Sequence, residues 1–206
     1  MKVAIAAYGA GNVRSVELAL ARLGAESELV HEPAPLLDAD LAVLPGVGSA
    51  ASAMSGLRAR GLDEALRERA AASRPSLGIC LGLQLALDET EEDGGVDGLG
   101  LVPGRAVRLR EGRVPRIGWA VVEPATHSRD TSVTGPGPGL APDFSDADWF
   151  AHSYAAESPA MTATSEGLAA VLESGSFVGV QFHPEKSGPA GARFLATVLE
   201  RCPSPA

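Results

Sequence analysis

The chain has 206 residues, of which 45% are hydrophobic and 21% are charged, a composition typical of a globular domain with a substantial core. Its formal net charge of −9 at pH 7 argues against binding of a nucleic-acid backbone through bulk electrostatics. The two cysteines, Cys80 and Cys202, lie far apart and outside any C-x-x-C pair, so neither a disulfide framework nor a metal site is predicted.

The N-terminal segment predicts the first strand of a parallel sheet. Residues 3–7 form a continuous apolar run, as in a strand that is buried on both faces. The run is interrupted at Tyr8-Gly9 and is too short for a signal peptide, and no apolar run in the chain has membrane-spanning length. We therefore expect a cytoplasmic protein that makes no membrane contact.

A β-α-β unit is expected next. Apolar residues at helical spacing predict a helix over residues 13–23, and strands are predicted at 27–30 and 41–44. Gly9 and Gly11 could suggest a dinucleotide loop, but Arg14 occupies the position of the third glycine of that fingerprint. Nucleotide binding is therefore not favoured.

The third strand leads into Gly46, Val47 and Gly48. This segment lies at the carboxyl end of the strand, where ligand sites of α/β proteins gather, although an ordinary strand-to-helix turn has the same composition. A helical stretch with a break near Gly61 follows over residues 54–71. Its arginines are expected on a solvated face: Arg58, Arg60, Arg67 and Arg69.

Residues 76–84 predict a buried strand that turns sharply into a helix at Cys80. Gly78 and Gly82 flank the cysteine at two residues on either side, as a crowded nucleophile turn requires. The following helix would point its N-terminus at the sulfur and leave the Leu81 N–H free for an oxyanion. A buried structural cysteine is the alternative interpretation of this motif.

The rest of the chain predicts an antiparallel part of the sheet and a final helix. The acidic run 88–95 and the Pro/Gly-rich stretch 125–142, with His127, are expected to be exposed loops. Strands are predicted at 100–109, 118–122, 148–154, 161–164, 169–172 and 177–182, and a helix at 190–201. The fold class is therefore α/β: one domain over residues 1–206, with a central mixed, mostly parallel sheet, flanking helices and an antiparallel extension.

His183 and Glu185 follow the last predicted strand. Pro184 favours an extended backbone at His183, and residues i and i+2 of an extended segment point the same way. The carboxylate could then orient the imidazole and stabilise its protonated form. Together with Cys80, these residues would supply a nucleophile, a general base and an orienting acid.

The motifs GICLGLQ around Cys80 and GVQFHPEKS at residues 179–187 resemble the class I glutamine amidotransferases. Those enzymes use a Cys-His-Glu triad to hydrolyse glutamine and release ammonia. YGAGNVRS at 8–15, LPGVGS at 44–49, RIGWA at 116–120 and WFAHSY at 149–154 resemble the glutaminase subunits of imidazole glycerol phosphate synthase, from histidine biosynthesis. The resemblance extends over essentially the whole chain.

The resemblance implies roles for individual residues, and it implies no cofactor. Cys80 would form a glutamyl thioester, with the N–H groups of Val47 and Leu81 as the oxyanion hole. The glutamine pocket would be lined by Gly46, Gly48 and Gln84, with backbone groups of His152, Ser153 and Tyr154. The interface with a separate (β/α)₈ cyclase, in a heterodimer, would include Asn12, Trp119 and Lys186. That partner would use the ammonia to make imidazole glycerol phosphate and AICAR.

The chain also departs from the family pattern. Ala7 stands where the family usually has Asp, and Arg116 and Ala120 replace the His and Asn of His-x-Gly-Trp-Asn. We expect these positions on the partner-facing side and away from the triad. A paralogous glutaminase subunit that feeds a different synthase is therefore an alternative. A catalytically idle ligand-binding module is another, although the complete triad argues against it.

Overall fold

A computed structural model of the protein describes residues 1–9, 11–125 and 146–202, so most of the predicted loop at 125–142, with His127, lies outside the described residues. The helices within these ranges are α1 (Val13–Arg22), α2 (Pro33–Asp38), α3 (Ala50–Arg58), α4 (Leu62–Ala71), α5 (Leu81–Ala86) and α6 (Gly188–Arg201). In the described part of the chain, no helix combines the length and the apolar character needed to span a bilayer.

The strands in the same ranges are β1 (Lys2–Ala6), β2 (Glu26–Val30), β3 (Leu41–Gly46), β4 (Ser76–Cys80), β5 (Glu89–Thr90), β6 (Val96–Asp97), β7 (Arg105–Arg108), β8 (Arg116–Val121), β9 (Glu123–Pro124), β10 (Ala147–His152), β11 (Tyr154–Glu157), β12 (Met161–Ser165), β13 (Leu168–Ser174) and β14 (Phe177–Val180). Short 3₁₀ turns lie at Glu92–Gly94 and Pro184–Lys186.

The central sheet has the strand order β2-β1-β3-β4-β14-β13-β12-β9. Strands β2, β1, β3, β4 and β14 pair in parallel, whereas β13, β12 and β9 continue the sheet in antiparallel pairs. The predicted mixed, mostly parallel sheet with an antiparallel extension is therefore confirmed. Because β1, β3, β4 and β14 run in the same direction, their carboxyl ends meet at one edge.

Two smaller sheets complete the fold. One pairs β8 with β10, and the other has the order β11-β7-β5-β6. The strand predicted at 100–109 exists in shortened form as β7, and the strand predicted at 118–122 corresponds to β8, but the two lie in different sheets.

Successive side chains of the parallel strands point to opposite faces of the central sheet, so each face has its own hydrophobic core. In β3, Leu41 and Val43 pack into a cluster with α1 and α6, whereas Ala42 and Leu44 pack into a cluster with α2, α3 and α4. The apolar runs of these strands are therefore buried on both faces, as the sequence predicts.

One expectation for the helical region is confirmed and one is wrong. The break near Gly61 is confirmed, since this residue has a φ of +66° between α3 and α4. However, Arg69 is fully buried, while Arg58, Arg60 and Arg67 are exposed as predicted. Burial is possible because α2, a helix that the sequence analysis did not predict, packs against α4 and offers carbonyl acceptors to the guanidinium.

The acidic run has a structural role that was not predicted. A carboxylate oxygen of Asp93 accepts hydrogen bonds from the Ser49 hydroxyl (2.6 Å) and the Ala51 N–H (3.0 Å). Glu92 accepts one from the Ala50 N–H at 3.1 Å. Both acids thus lie at the N-terminus of α3, where negative charge stabilises a helix.

Candidate active site

Cys80 lies at the sharp turn that joins β4 to α5. Its backbone has φ 54° and ψ −107°, a left-handed conformation that is unusual for a residue other than glycine. A Cβ on Gly82 would lie 1.8 Å from the Leu44 carbonyl oxygen, and one on Gly78 would lie 2.6 Å from the Phe177 ring. The predicted break from strand to helix, with obligatory glycines on both sides, is confirmed.

His183 is reached from the end of β14, the strand beside β4. Its backbone N–H donates to the Trp149 carbonyl at 2.8 Å, which fixes its position against β10. Its Nδ1 lies 2.9 Å from Oε1 of Glu185, and the two side chains are 3% and 2% exposed. His183 is extended as expected, but Glu185 lies in the 3₁₀ turn Pro184–Lys186, so the turn brings the two side chains together.

The environment of His183 favours its protonated form. Burial by itself lowers the pKa of His183, but the neighbouring Cys80 sulfur and the Glu185 carboxylate raise it to about 9. The structure therefore brings Cys80, His183 and Glu185 into one electrostatic unit, although the cysteine is a hundred residues away in sequence. Such an arrangement can hold a thiolate next to an imidazolium.

The glycine-flanked segment lies directly beside the cysteine turn. Gly46, the last residue of β3, pairs with Cys80 in the parallel ladder. A Cβ at Gly46 would lie 2.7 Å from the Leu81 Cβ and 2.8 Å from the Gly82 nitrogen, so the segment packs against the start of α5. Val47 is exposed, and Gly48 has a φ of +102° that favours glycine.

Tyr8 is a residue of this site that the sequence analysis missed. Its buried hydroxyl donates to the Pro45 carbonyl, immediately before Gly46. Burial and the nearby Cys80 raise the pKa of Tyr8, so the hydroxyl keeps its proton. A signal was present in the sequence, because Tyr8 follows β1 and the carboxyl ends of neighbouring parallel strands share one edge.

Gln84, predicted to line the glutamine pocket, is buried on α5. Its Nε2 donates to the Tyr154 carbonyl and to Oε1 of Gln181, both at 3.1 Å. Gln181 in turn places its Nε2 at 3.6 Å from the Cys80 sulfur. The sequence analysis did not single out Gln181, which stands in the GVQFHPE motif two residues before His183.

Residues 152–154 contact the site through their backbone, but most of their carbonyls are already engaged. The Tyr154 carbonyl accepts from Gln84 and from Nδ1 of His152 (2.8 Å), and the Ser153 carbonyl accepts from the Leu109 N–H (2.9 Å). Burial lowers the pKa of His152 to about 4, and the charges of Arg116 and His183 act in the same direction. His152 is therefore a neutral imidazole at physiological pH.

Asn12, Trp119 and Lys186, the predicted interface residues, are all exposed. Trp119 is 58% exposed and belongs to an apolar stripe on β8 with Ile117 (59%) and Val121 (49%). Its ring contacts Trp149 of β10 edge-on, with centroids 5.5 Å apart. The outward side of the β8–β10 sheet is therefore an apolar surface next to the site, since the Ala151 carbonyl of β10 lies 3.9 Å from the Cys80 sulfur.

The three positions that depart from the family pattern differ in exposure. Ala7 is buried, at 8% exposed. The Arg116 side chain is 13% exposed and turns inward, where its guanidinium lies 4.2 Å from the Phe150 ring centroid and pairs with Glu166. Ala120 is partly accessible. Their place on the partner-facing side stays a prediction.

Within residues 1–9, 11–125 and 146–202, no group of three or more His, Cys, Asp or Glu residues could hold a metal ion.

Comparisons with known proteins identify relatives along nearly the full chain. A family model described as glutamine amidotransferase class-I matches residues 5–202. The HisH subunit of imidazole glycerol phosphate synthase from Symbiobacterium thermophilum is 45% identical over 95% of this chain and 92% of the relative. The HisH subunit from Carboxydothermus hydrogenoformans is 40% identical over 94% of this chain and 96% of the relative.

Solved structures share the fold at low sequence identity. A structure described as a glutamine amidotransferase superposes with a TM-score of 0.74 at 19% identity, covering 96% of this chain and 97% of that one. The structure of PurLQS from Thermotoga maritima gives a TM-score of 0.70 at 19% identity, covering 97% of each chain.

Proposed function

The chain belongs to the class-I glutamine amidotransferase family and, within it, to the HisH subunits of imidazole glycerol phosphate synthase, and we propose that Cys80, His183 and Glu185 perform its glutaminase reaction. The observation that supports this assignment is the position of the buried His183 between the Cys80 sulfur and the Glu185 carboxylate, which together raise the imidazole pKa to about 9 against the lowering effect of burial. We also propose that residues 1–206 act as one glutaminase domain, in the cytoplasm.

In the first half of the reaction, the Cys80 sulfur attacks the side-chain carboxamide carbon of glutamine. The carbonyl electron pair moves to oxygen, and the N–H groups of Leu81 and Val47 stabilise the resulting oxyanion. The tetrahedral intermediate then collapses to a glutamyl thioester as the C–N bond breaks. His183 gives its proton to the leaving nitrogen, which departs as ammonia.

In the second half, His183 is neutral and removes a proton from water. The water oxygen attacks the thioester carbonyl, the same two N–H groups hold the oxyanion, and the C–S bond breaks. Glutamate leaves and the Cys80–His183 pair is restored. Glu185 keeps the imidazole oriented throughout, through the 2.9 Å contact with Nδ1.

Glutamine would bind in the pocket between β3, α5 and the 152–154 segment. The backbone of Gly46 and Gly48 would line this pocket beside the cysteine turn, and Gln84 would form its wall on α5. Backbone groups of His152, Ser153 and Tyr154 would face the amino-acid end of the substrate.

The ammonia would be used by a separate (β/α)₈ cyclase subunit in a heterodimer that makes imidazole glycerol phosphate and AICAR in histidine biosynthesis. The exposed residues Asn12, Trp119 and Lys186 would lie at that interface. The apolar stripe on β8 supports this assignment, because exposed contiguous apolar surface of this kind is typical of a protein interface.

Glutamate release, followed with the chain alone and with the cyclase and its nucleotide substrate, tests the proposal. We expect slow turnover alone and strong acceleration in the liganded complex, and full-speed turnover without a partner would contradict the coupled role. Cys80→Ala should abolish both turnover and labelling by a glutamine-mimicking electrophile. Cys202→Ala is the matched control, and an equal loss in it would show that Cys80 is not the nucleophile.

A further inference from the structure

Gln181 is a buried polar residue at the active site to which the mechanism above gives no role. It is 0% exposed and follows β14, where Val180 pairs with Ile79 of β4. Gln181 and Cys80 are the residues that follow this pair, so the pairing of the two strands brings them next to each other. The side-chain Nε2 of Gln181 lies 3.6 Å from the Cys80 sulfur, within hydrogen-bonding distance of a large acceptor atom.

The orientation of the Gln181 amide follows from its partners. The Tyr154 carbonyl can only accept, so the Gln84 atom that faces it at 3.1 Å must be Nε2. The same NH₂ group lies 3.1 Å from Gln181 and requires an acceptor there, which fixes Oε1 of Gln181 on that side. The donor end of Gln181 therefore faces the sulfur.

We propose that Gln181 is a positioning residue that donates a hydrogen bond to the Cys80 thiolate and holds its sulfur in place for attack. The proposal rests on the assignment of Cys80 as the nucleophile. A neutral donor stabilises a thiolate without adding a second charge that would compete with the His183 imidazolium. Gln84 holds Gln181 in this orientation and thus connects the wall of the glutamine pocket to the sulfur.

Alkylation of Cys80 by iodoacetamide, followed against pH in the full chain, tests the donor role without glutamine turnover. Gln181→Glu keeps the size of the side chain and its acceptor for Gln84, but it replaces the donor with a carboxylate. Gln181→Met removes the donor without adding a charge. The alkylation midpoint is expected to rise by about one pH unit in the Met variant and by more in the Glu variant. At pH values well below the wild-type midpoint, the rate then falls by about tenfold.

All variants are made in a Cys202→Ser background, so that only Cys80 is alkylated, and their far-ultraviolet circular dichroism reports folding. Thiolate absorbance is also followed against pH, with the signal of the Cys80→Ala counterpart subtracted from that of each variant. This gives an independent measurement of the same midpoint. An unchanged midpoint in folded Gln181→Met would overturn the role of Gln181, even if the midpoint rises in Gln181→Glu, and it would leave the proposed function intact. Loss of the proposed function would appear instead as glutamate release that survives Cys80→Ala.

Discussion

The Nδ1 atom of His183 lies 2.9 Å from Oε1 of Glu185, and neither side chain is more than 3% exposed. Water therefore screens this contact little. The carboxylate and the Cys80 sulfur raise the pKa of His183 to about 9 against the lowering effect of burial. The imidazole is thus protonated at neutral pH and ready to donate to a leaving nitrogen.

The Glu185→Gln variant tests this dependence. Removal of the carboxylate charge should lower the pKa of His183, which NMR titration of the imidazole measures directly. The raised pKa contributes stability that is complete below the unfolded value of about 6.5 and is lost as the pH rises through about 9. We expect the variant to lose about 1–3 kcal/mol of unfolding free energy at pH 6 and less at pH 9.5.

Glu157→Gln is the matched control, because Glu157 is 57% exposed and pairs with Arg105 on the surface. Its unfolding free energy should change by less than about 1 kcal/mol at either pH. An unchanged His183 titration in Glu185→Gln would contradict the assigned coupling.

Removal of the Asp148 carboxyl is expected to stabilise the protein, whereas Glu185→Gln is expected to destabilise it. This carboxyl on β10 is 2% exposed, and its Oδ1 has no hydrogen-bond partner in the described part of the chain. Burial raises the pKa of Asp148 to about 6, against the partial opposition of the Ser187 hydroxyl. The folded state therefore loses stability as the pH rises from about 4 to about 6, because the buried group must then ionise.

Asp148→Asn should accordingly stabilise the protein at pH 7.5 by about 1–3 kcal/mol, and most of this gain should disappear at pH 4.5. Urea unfolding at the two pH values measures the difference. Asp146→Asn, two residues away, is the control, since its side chain is 58% exposed and its removal should have little effect at either pH. A gain that is equal at both pH values would exclude ionisation as its cause.

The sequence predicts the sharp turn at Cys80 and the contact between His183 and Glu185 because each of these signals is local. The glycines around Cys80 specify the turn, and His183 and Glu185 are only two residues apart. Gln181 and Tyr8 were missed because their roles depend on which strands are neighbours in the sheet. A glutamine inside an apolar strand gives no indication that a cysteine on another strand lies 3.6 Å away.

Arg69 illustrates the same limit for the fold. An arginine on a charged helix is normally exposed, and nothing on α4 itself indicates otherwise. Its burial depends on α2, a six-residue helix with two prolines that is too short to show helical periodicity. The wrong prediction for Arg69 therefore follows from the helix that was not predicted, because carbonyls of α2 accept the hydrogen bonds of the buried guanidinium.

Arg69→Leu should be strongly destabilising. The guanidinium donates to the carbonyls of Leu36 (2.8 Å) and Ala39 (2.9 Å), and it also bonds to Pro75. Burial lowers the pKa of Arg69 only to about 10, so the group is charged and forms strong hydrogen bonds at neutral pH. We expect a loss of about 3–5 kcal/mol in urea unfolding, because buried carbonyls lose their donor.

Arg60→Leu in the same helical region is the control, since Arg60 is exposed and donates to the nearby Gly56 carbonyl. Its unfolding free energy should stay within about 0.5 kcal/mol of the wild type. A loss of this small size in Arg69→Leu would mean that α2 is held against α4 by apolar packing alone.

The apolar stripe on β8 gives the final prediction, which concerns the cyclase. Ile117 and Val121 point outward on either side of Trp119, and all three are about half exposed. Ile117→Ser with Val121→Ser should weaken association with the cyclase at least tenfold in calorimetry, because the partner would lose apolar contact area. Alkylation of Cys80 in the free chain should be unchanged, since both side chains face away from the core.

Leu18→Ser on α1, where the leucine is 43% exposed, controls for the loss of any surface apolar group. Equal affinity of the double variant and the wild type would place the cyclase on another face of the protein.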